Sequence, residues 1–214
     1  MENPVPDRLP LTGVVLAGGR SRRMGDDKAF VQLRGTPLIH WVLGALRSVC
    51  SEVMIVADTA ARFSQLGIHV VEDLRRDEGP LIGVLTGLSI AQTDWVFVSS
   101  CDAPFLHPDM VRSLWELREG FDLIVPTTNE APNLKPLCAL YATECVEPIR
   151  ALLDRGERRL SSLLPVVRTR VVAEQELRPH DSQLLSFLNV NTPEDLRRAE
   201  EIAAGPEGRS RFRT

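Results

Sequence analysis

The densest chemistry in the chain lies in VVLAGGRSRRMGDDKAF, residues 14–30. An apolar run, Val14-Val15-Leu16-Ala17, ends at Gly18-Gly19. Arg20, Arg22, Arg23, two aspartates and Lys28 follow. Paired glycines let the backbone turn tightly and bring bare N–H groups close to a ligand. Arginine offers phosphate oxygens a forked donor, and lysine a compact point charge. The combination describes a phosphate-binding loop at the end of a buried strand; the bland alternative is a solvated basic turn. Two common phosphate loops do not fit. After Gly25 come Asp26 and Asp27, Lys28 is late, and Ala29 stands where a P-loop has a hydroxyl; the G-x-G-x-x-G spacing is absent as well. What remains is a longer loop that folds over a nucleotide.

A second constellation is VFVSSCDAPF, residues 96–105, where Asp102 follows an apolar strand. An acid at the carboxyl edge of a sheet suits Mg2+, which takes oxygen from one or two carboxylates together with phosphates. Asp73 ends HVVED in the same way. Taken singly, such an acid reads equally as a turn or helix cap. Three strand ends carrying Gly18-Gly19, Asp73 and Asp102 make separate accidents a weaker account. GPLIGVLTGL, residues 79–88, adds a glycine-rich helix start at Gly79. It would let a base or ribose come close, or serve helix packing alone.

The elements that must position these groups alternate. TGVVLAG (12–18), EVMIVA (52–57), IHVVED (68–73), DWVFVSS (94–100) and DLIVPT (122–127) are continuous apolar runs, as in strands of a parallel sheet covered on both faces. Amphipathic stretches at about 37–50, 59–66, 81–91 and 108–119 predict helices between them. Thr36-Pro37 reads as a cap followed by the first helical residue, and Gly120 as a C-terminal stop. Later, 135–142 predicts a strand, the segment ending at Gly156 a helix, and VVRTRVVAE an edge strand. Thr192-Pro193 caps a closing helix. The expected fold is α/β with three layers: a mostly parallel sheet between helices on both faces. One domain over residues 11–204 is expected, with a disordered start over 1–10 and a disordered tail over 205–214.

Composition excludes several classes. The chain has 214 residues and a net charge of -4, which argues against a general nucleic-acid binder. No apolar run approaches the ~20 residues of a membrane span. The start, MENPVPDRLP, is polar and proline-rich. Cys50, Cys101, Cys138 and Cys145 are scattered without metal-site spacing, and reduced thiols in a cytoplasmic protein are the expectation.

LAGGRSRRMGDDKAFVQLRGTPLI, VVEDLRRDEGPLIGVLTGL, CDAPF, GERR and FLNVNTPEDL fall in an order that resembles the molybdenum cofactor guanylyltransferase (MobA) family, from about residue 11 to 200. The resemblance implies a Rossmann-like nucleotidyltransferase fold. It also implies transfer of GMP from GTP to molybdopterin, with Mg2+ and release of pyrophosphate. By position, Leu16, Ala17, Gly18 and Gly19 would contact the nucleotide, Lys28 its phosphates and Asp73 the nucleoside. Asp102 would hold the metal, and Arg23 would act with Lys28 in catalysis as part of the covering loop. Asn189 and Asn191 lie where the family meets molybdopterin; Asn191-Thr192 is also a good helix start. The chain departs from the family where the second strand ends: Ala57 stands in place of an asparagine, with Asp58 next. Gly18-Gly19 favours guanylyl over cytidylyl transfer, since the cytidylyltransferase relatives resemble an L-A-A-G form. The rivals are a CTP-dependent or sugar-phosphate nucleotidyltransferase, and a non-catalytic carrier of GTP or molybdopterin. Expected partners are GTP, molybdopterin and, transiently, cofactor-synthesis proteins or apo-molybdoenzymes, without nucleic acid or membrane.

Overall fold

A computed structural model describes residues 8–18, 28–74, 79–129 and 133–211 of the chain. The first half runs β1 (Leu9–Leu16), a small hairpin β2 (Gln32–Leu33) and β3 (Thr36–Pro37), α1 (Leu38–Val49), β4 (Cys50–Ala57), β5 (His69–Glu72), α2 (Pro80–Ile90) and β6 (Trp95–Ser100). The second runs α3 (Pro108–Glu116), β7 (Leu123–Thr128), β8 (Asn133–Leu134), β9 (Cys138–Ala142), α4 (Val146–Asp154), β10 (Thr169–Val172), α5 (Glu174–Leu177), α6 (Pro193–Ala204) and α7 (Pro206–Arg211).

The main sheet has the order β10-β7-β9-β6-β1-β4-β5, with β8 paired to β7. β1 pairs in parallel with both β4 and β6. β9 runs antiparallel to its neighbours β6 and β7. The mostly parallel sheet expected from the apolar runs is therefore present, and β10 is an edge strand as its alternation predicted. One face packs α1 and α3 through Ile39, Val42, Leu46, Met110 and Leu114. The other packs α2 and α4 through Leu81, Leu85, Ile149 and Leu152. A smaller cluster joins Leu33, Leu38, Phe105, Leu185, Val190 and Ala199 under α6.

α2 is apolar all round, and eight of its residues are buried. It lies unusually close to β1 because of two glycines one turn apart: a Cβ on Gly87 would meet Val14 side-chain atoms at 3.0 Å, and one on Gly83 would meet Leu16 at 3.2 Å. Gly79 starts the helix with φ at 79°, in the left-handed region, so this glycine has a conformational task of its own.

Several elements differ from the sequence reading. β1 begins at Leu9, inside the stretch expected to be disordered, and ends at Leu16, two residues early. Pro37 rather than Thr36 caps α1, because Thr36 pairs with Leu33 in the hairpin. The hairpin turn has positive φ at Arg34 and Gly35. Arg34 is tied to α6: its N–H donates to Glu200 Oε1 at 2.9 Å and its guanidinium to Ala203 O at 3.0 Å. The expected helix at 59–66 is a 3-10 helix over Ala60–Leu66, closed by Gly67. α3 stops at Glu116, ahead of Gly120. Residues 206–211, expected to fray, form α7, whose Arg211 pairs with Asp181.

Candidate active site

The chain leaves β1 toward β4 and β5 on one side and returns to β6 on the other. The direction of winding therefore reverses between β1 and β6, and in such sheets the crevice beyond the strand carboxyl ends is where ligands bind. Gly18 follows β1 and Asp102 follows β6, so both stand at this crevice. The backbone there is tightly braced: Cys101 N–H donates to Leu16 O at 3.2 Å, and Ala17 N–H to Val56 O at 2.9 Å.

Lys28, Asp102 and Asn191 meet. The Lys28 ammonium donates to Asp102 Oδ2 and to Asn191 Oδ1. Asp102 is 6% exposed, and its Oδ1 accepts from Ser100 Oγ at 2.6 Å. Its carbonyl accepts Val190 N–H at 2.9 Å, which pins the FLNVN segment beside β6. Asn191 is exposed and starts the α6 cap: its N–H and that of Thr192 both donate to Asp195 Oδ2, while Thr192 Oγ1 accepts from Asp195 N–H. Burial works against the charge on Asp195, yet these backbone bonds and nearby Lys28 hold its pKa below the ordinary value. Asn191 thus serves as helix start and as a partner of Lys28. Asn189 is exposed, one residue before buried Val190.

A second group gathers on the β5 side. Asp73 N–H donates to Ala57 O at 2.8 Å, which sets the side chain beside β1. A Cβ on Gly18 would lie 3.4 Å from Asp73 Oδ2, and one on Gly83 would lie 3.5 Å from Asp73 Oδ1. The two glycines therefore leave room around the carboxylate. Asp73 Oδ1 is buried and has no hydrogen-bond partner among the described residues; a buried acceptor of this kind has capacity for one further donor. Burial, and then the charge of Asp58, raise its pKa from 3.8 to about 6. Asp58 itself pairs with Arg62, so it is engaged within its own turn. Ala57, at the family's asparagine position, is fully buried at the end of β4.

Leu16, Ala17, Gly18, Lys28, Asp73, Asp102 and Asn191 thus lie around one crevice, in two subsets flanking β1. Gly79 starts α2, and its Cβ would face Arg158 O at 3.5 Å. Gly19 and Arg23 lie outside the described residues. Sequence reasoning missed Ser100, which orients Asp102, and Gly83, which makes space beside Asp73. The signal for Ser100 was two serines ending an otherwise apolar strand.

Among the described residues, no three His, Cys, Asp or Glu side chains form a ready-made metal cluster. The donor chemistry at Asp102 nonetheless fits Mg2+ bound together with a triphosphate, since Mg2+ commonly takes one carboxylate and completes its shell with phosphate and water. Cys50, Cys138 and Cys145 are buried free thiols, and burial pushes the Cys50 and Cys145 thiols up to about 12. No helix among the described residues is long and apolar enough to cross a membrane.

Residues 13–171 match the family described as MobA-like NTP transferase domain. A probable molybdenum cofactor guanylyltransferase of Pelotomaculum thermopropionicum is 38% identical over 195 residues, covering 91% of this chain and 94% of that protein. The molybdenum cofactor guanylyltransferase of Desulfosudis oleivorans is 36% identical, covering 91% and 97%. Among solved structures, molybdopterin-guanine dinucleotide biosynthesis protein A of Archaeoglobus fulgidus superimposes with a TM-score of 0.78 at 29% identity, covering 90% of this chain and 98% of that one. Family match, relatives and the shared fold agree with the crevice just described: the chain belongs to the MobA-like NTP transferase family and is a nucleotidyltransferase.

Proposed function

We propose that the protein transfers the guanylyl group of GTP to the phosphate of molybdopterin, forming the guanine dinucleotide cofactor and pyrophosphate. The relatives' names support this reading, and the observation that carries it is the meeting of Lys28, Asp102 and Asn191 at the rim of β1 and β6. A phosphate oxygen of molybdopterin attacks the α-phosphorus of GTP. A new phosphoanhydride bond forms, and the bond between the α- and β-phosphates breaks. The nucleophile is already an anion, so the site needs no general base. What it must do is hold mutually repelling anions in line and take up charge on the departing pyrophosphate. Lys28 neutralises phosphate charge, and Asn191 holds the ammonium toward the molybdopterin side. Gly18 and neighbouring backbone accommodate the nucleotide beside Asp73. Asp102 would hold Mg2+, which supplies further charge neutralisation on the triphosphate. Gly19 and Arg23 belong to the loop proposed to cover the phosphates. The product must reach its acceptor without loss to solvent, so transient contact with cofactor-synthesis proteins or apo-molybdoenzymes, in the cytoplasm, belongs to the same proposal.

Purified protein with Mg2+ and molybdopterin, offered each of the four nucleoside triphosphates, is expected to release pyrophosphate and form a dinucleotide with GTP. Preference for CTP would overturn the guanylyl assignment, and nucleotide binding without pyrophosphate release would overturn catalysis.

Asp73 adds a pH dependence. Its folded-state pKa of about 6 lies above its ordinary 3.8, so between these values the folded protein holds a proton that the unfolded chain has released. Stability from this group is therefore present at low pH and falls as pH rises through that window. Nucleotide binding should run the other way. Donors on the ligand favour the carboxylate, so GTP affinity is expected to rise as pH passes about 6. Thermal unfolding and calorimetric GTP titrations between about pH 4 and 7 would measure both, and Asp73→Asn should flatten both profiles. A wild-type affinity that stays level across this range would remove Asp73 from the site.

A further inference from the structure

The end of the chain, beyond the residues that match the family, reaches back to the loop that carries Asp102. α7 packs on the end of α6 through Gly208, where any Cβ would fall on the backbone of Ala203. From α7 the Arg211 side chain, 10% exposed, spans two acceptors: one arm donates to Phe105 O and the other to Asp181 Oδ1. Asp181 is 2% exposed. It also accepts Leu185 N–H on Oδ1 at 3.2 Å and Ser186 N–H on Oδ2 at 2.8 Å. Ser186 Oγ in turn accepts His107 N–H at 3.0 Å. Phe105, Leu185 and Val190 share the apolar cluster under α6.

Segment 102–107 is therefore gripped at three points by residues 186–211: Val190 on the Asp102 carbonyl, Ser186 on His107 and Arg211 on Phe105. A buried ion pair is weak evidence for stability by itself, because desolvation offsets much of the attraction. A planar guanidinium bridging a carboxylate and a main-chain carbonyl is better suited to setting geometry.

We propose that Arg211, held by Asp181, is a positioning residue for Asp102. The pair locks the loop behind Asp102, and so aims the carboxylate at the point where Lys28 and Asn191 converge. Neither Arg211 nor Asp181 touches substrate. The inference rests on the reading of Asp102 as a group of the reaction site. Releasing the clamp lets the 102–107 backbone relax, and a displacement of about 1 Å beside reacting groups can cost on the order of 100-fold in rate.

The test uses full-length Arg211→Ala and Asp181→Asn, at a temperature where circular dichroism shows each to be folded. If Arg211→Ala does not fold, Arg211→Lys takes its place, since it keeps a charge beside Asp181 but lacks the planar fork for Phe105. Amide exchange of His107, Ser186 and Val190 in the ligand-free protein should speed up about tenfold or more, with β1 and β4 unchanged. The kcat should fall about tenfold or more while the KM for GTP stays within about twofold, because the Gly18–Asp73 side is not gripped by the clamp. A clamp that merely stabilises the fold would lower Tm and leave both loop exchange and kcat untouched, and that result overturns the proposal. Faster exchange with unaltered kcat overturns it too. In that case a parallel Asp102→Asn measurement shows whether the role of Asp102 itself has failed: a silent Asp102 variant places the fault there, and an inactive one places it in the clamp.

Discussion

Replacing Asp102 with asparagine is expected to cut turnover of GTP by at least about 100-fold, or roughly 2.7 kcal/mol of transition-state stabilisation, with the fold left in place. Asparagine keeps the size of the side chain and an oxygen for the Ser100 hydroxyl, which donates at 2.6 Å in the wild type. Lys28 loses its ionic partner but keeps Asn191 and partial access to solvent. The neutral amide, in contrast, is a poor ligand for a divalent ion on a triphosphate, and it no longer balances the ammonium beside it. Initial rates of pyrophosphate release, read beside thermal unfolding, would measure the effect. Near-normal rates in a folded Asp102→Asn protein would take Asp102 out of the reaction.

The second large effect is expected at Lys28. With alanine there, the phosphates lose a point charge and Asp102 loses its counter-ion in the same step. Turnover at fixed GTP should drop on the order of 100-fold. The ligand-free protein should also lose on the order of 1 to 3 kcal/mol, because among the described residues a nearly buried carboxylate is left with Ser100 as its one side-chain donor. The two residues share one bond, so their effects should not add: Lys28→Ala with Asp102→Asn should be little slower than the worse single variant. Full additivity would mean that the two groups act independently, and unchanged GTP kinetics in Lys28→Ala would reject its phosphate role.

Much of the sheet was legible because a strand buried on both faces has no polar alternation to disguise it. Val14, Val15, Val96 and Val98 are fully buried, and the runs that contain them stand as β1 and β6. The capped start of α6 was equally plain, since Thr192, Pro193 and Asp195 act within one turn. Local patterns were less reliable where a distant partner intervened. Thr36 looks like a cap for α1 until the Arg34-Gly35 turn pairs it with Leu33 and α6 anchors that turn. Residues 206–211 look like tail until Arg211 finds a buried acid 30 positions earlier.

Residue types and spacing in one dimension were enough to pose the chemistry proposed for the site: a glycine turn for a nucleotide, a lysine for phosphate, acids at strand ends for metal or nucleoside. Those are local properties, carried by side chains whose functional groups do not depend on their neighbours. Which groups meet was decided only by the winding of the sheet. The reversal between β1 and β6 brings Lys28, Asp102 and Asn191 together across 163 positions of sequence, and the close seat of α2 on β1 leaves Asp73 Oδ1 buried with no hydrogen-bond partner among the described residues. Such contacts depend on long-range packing and on the desolvation it imposes, and neither is written in any short stretch of the chain.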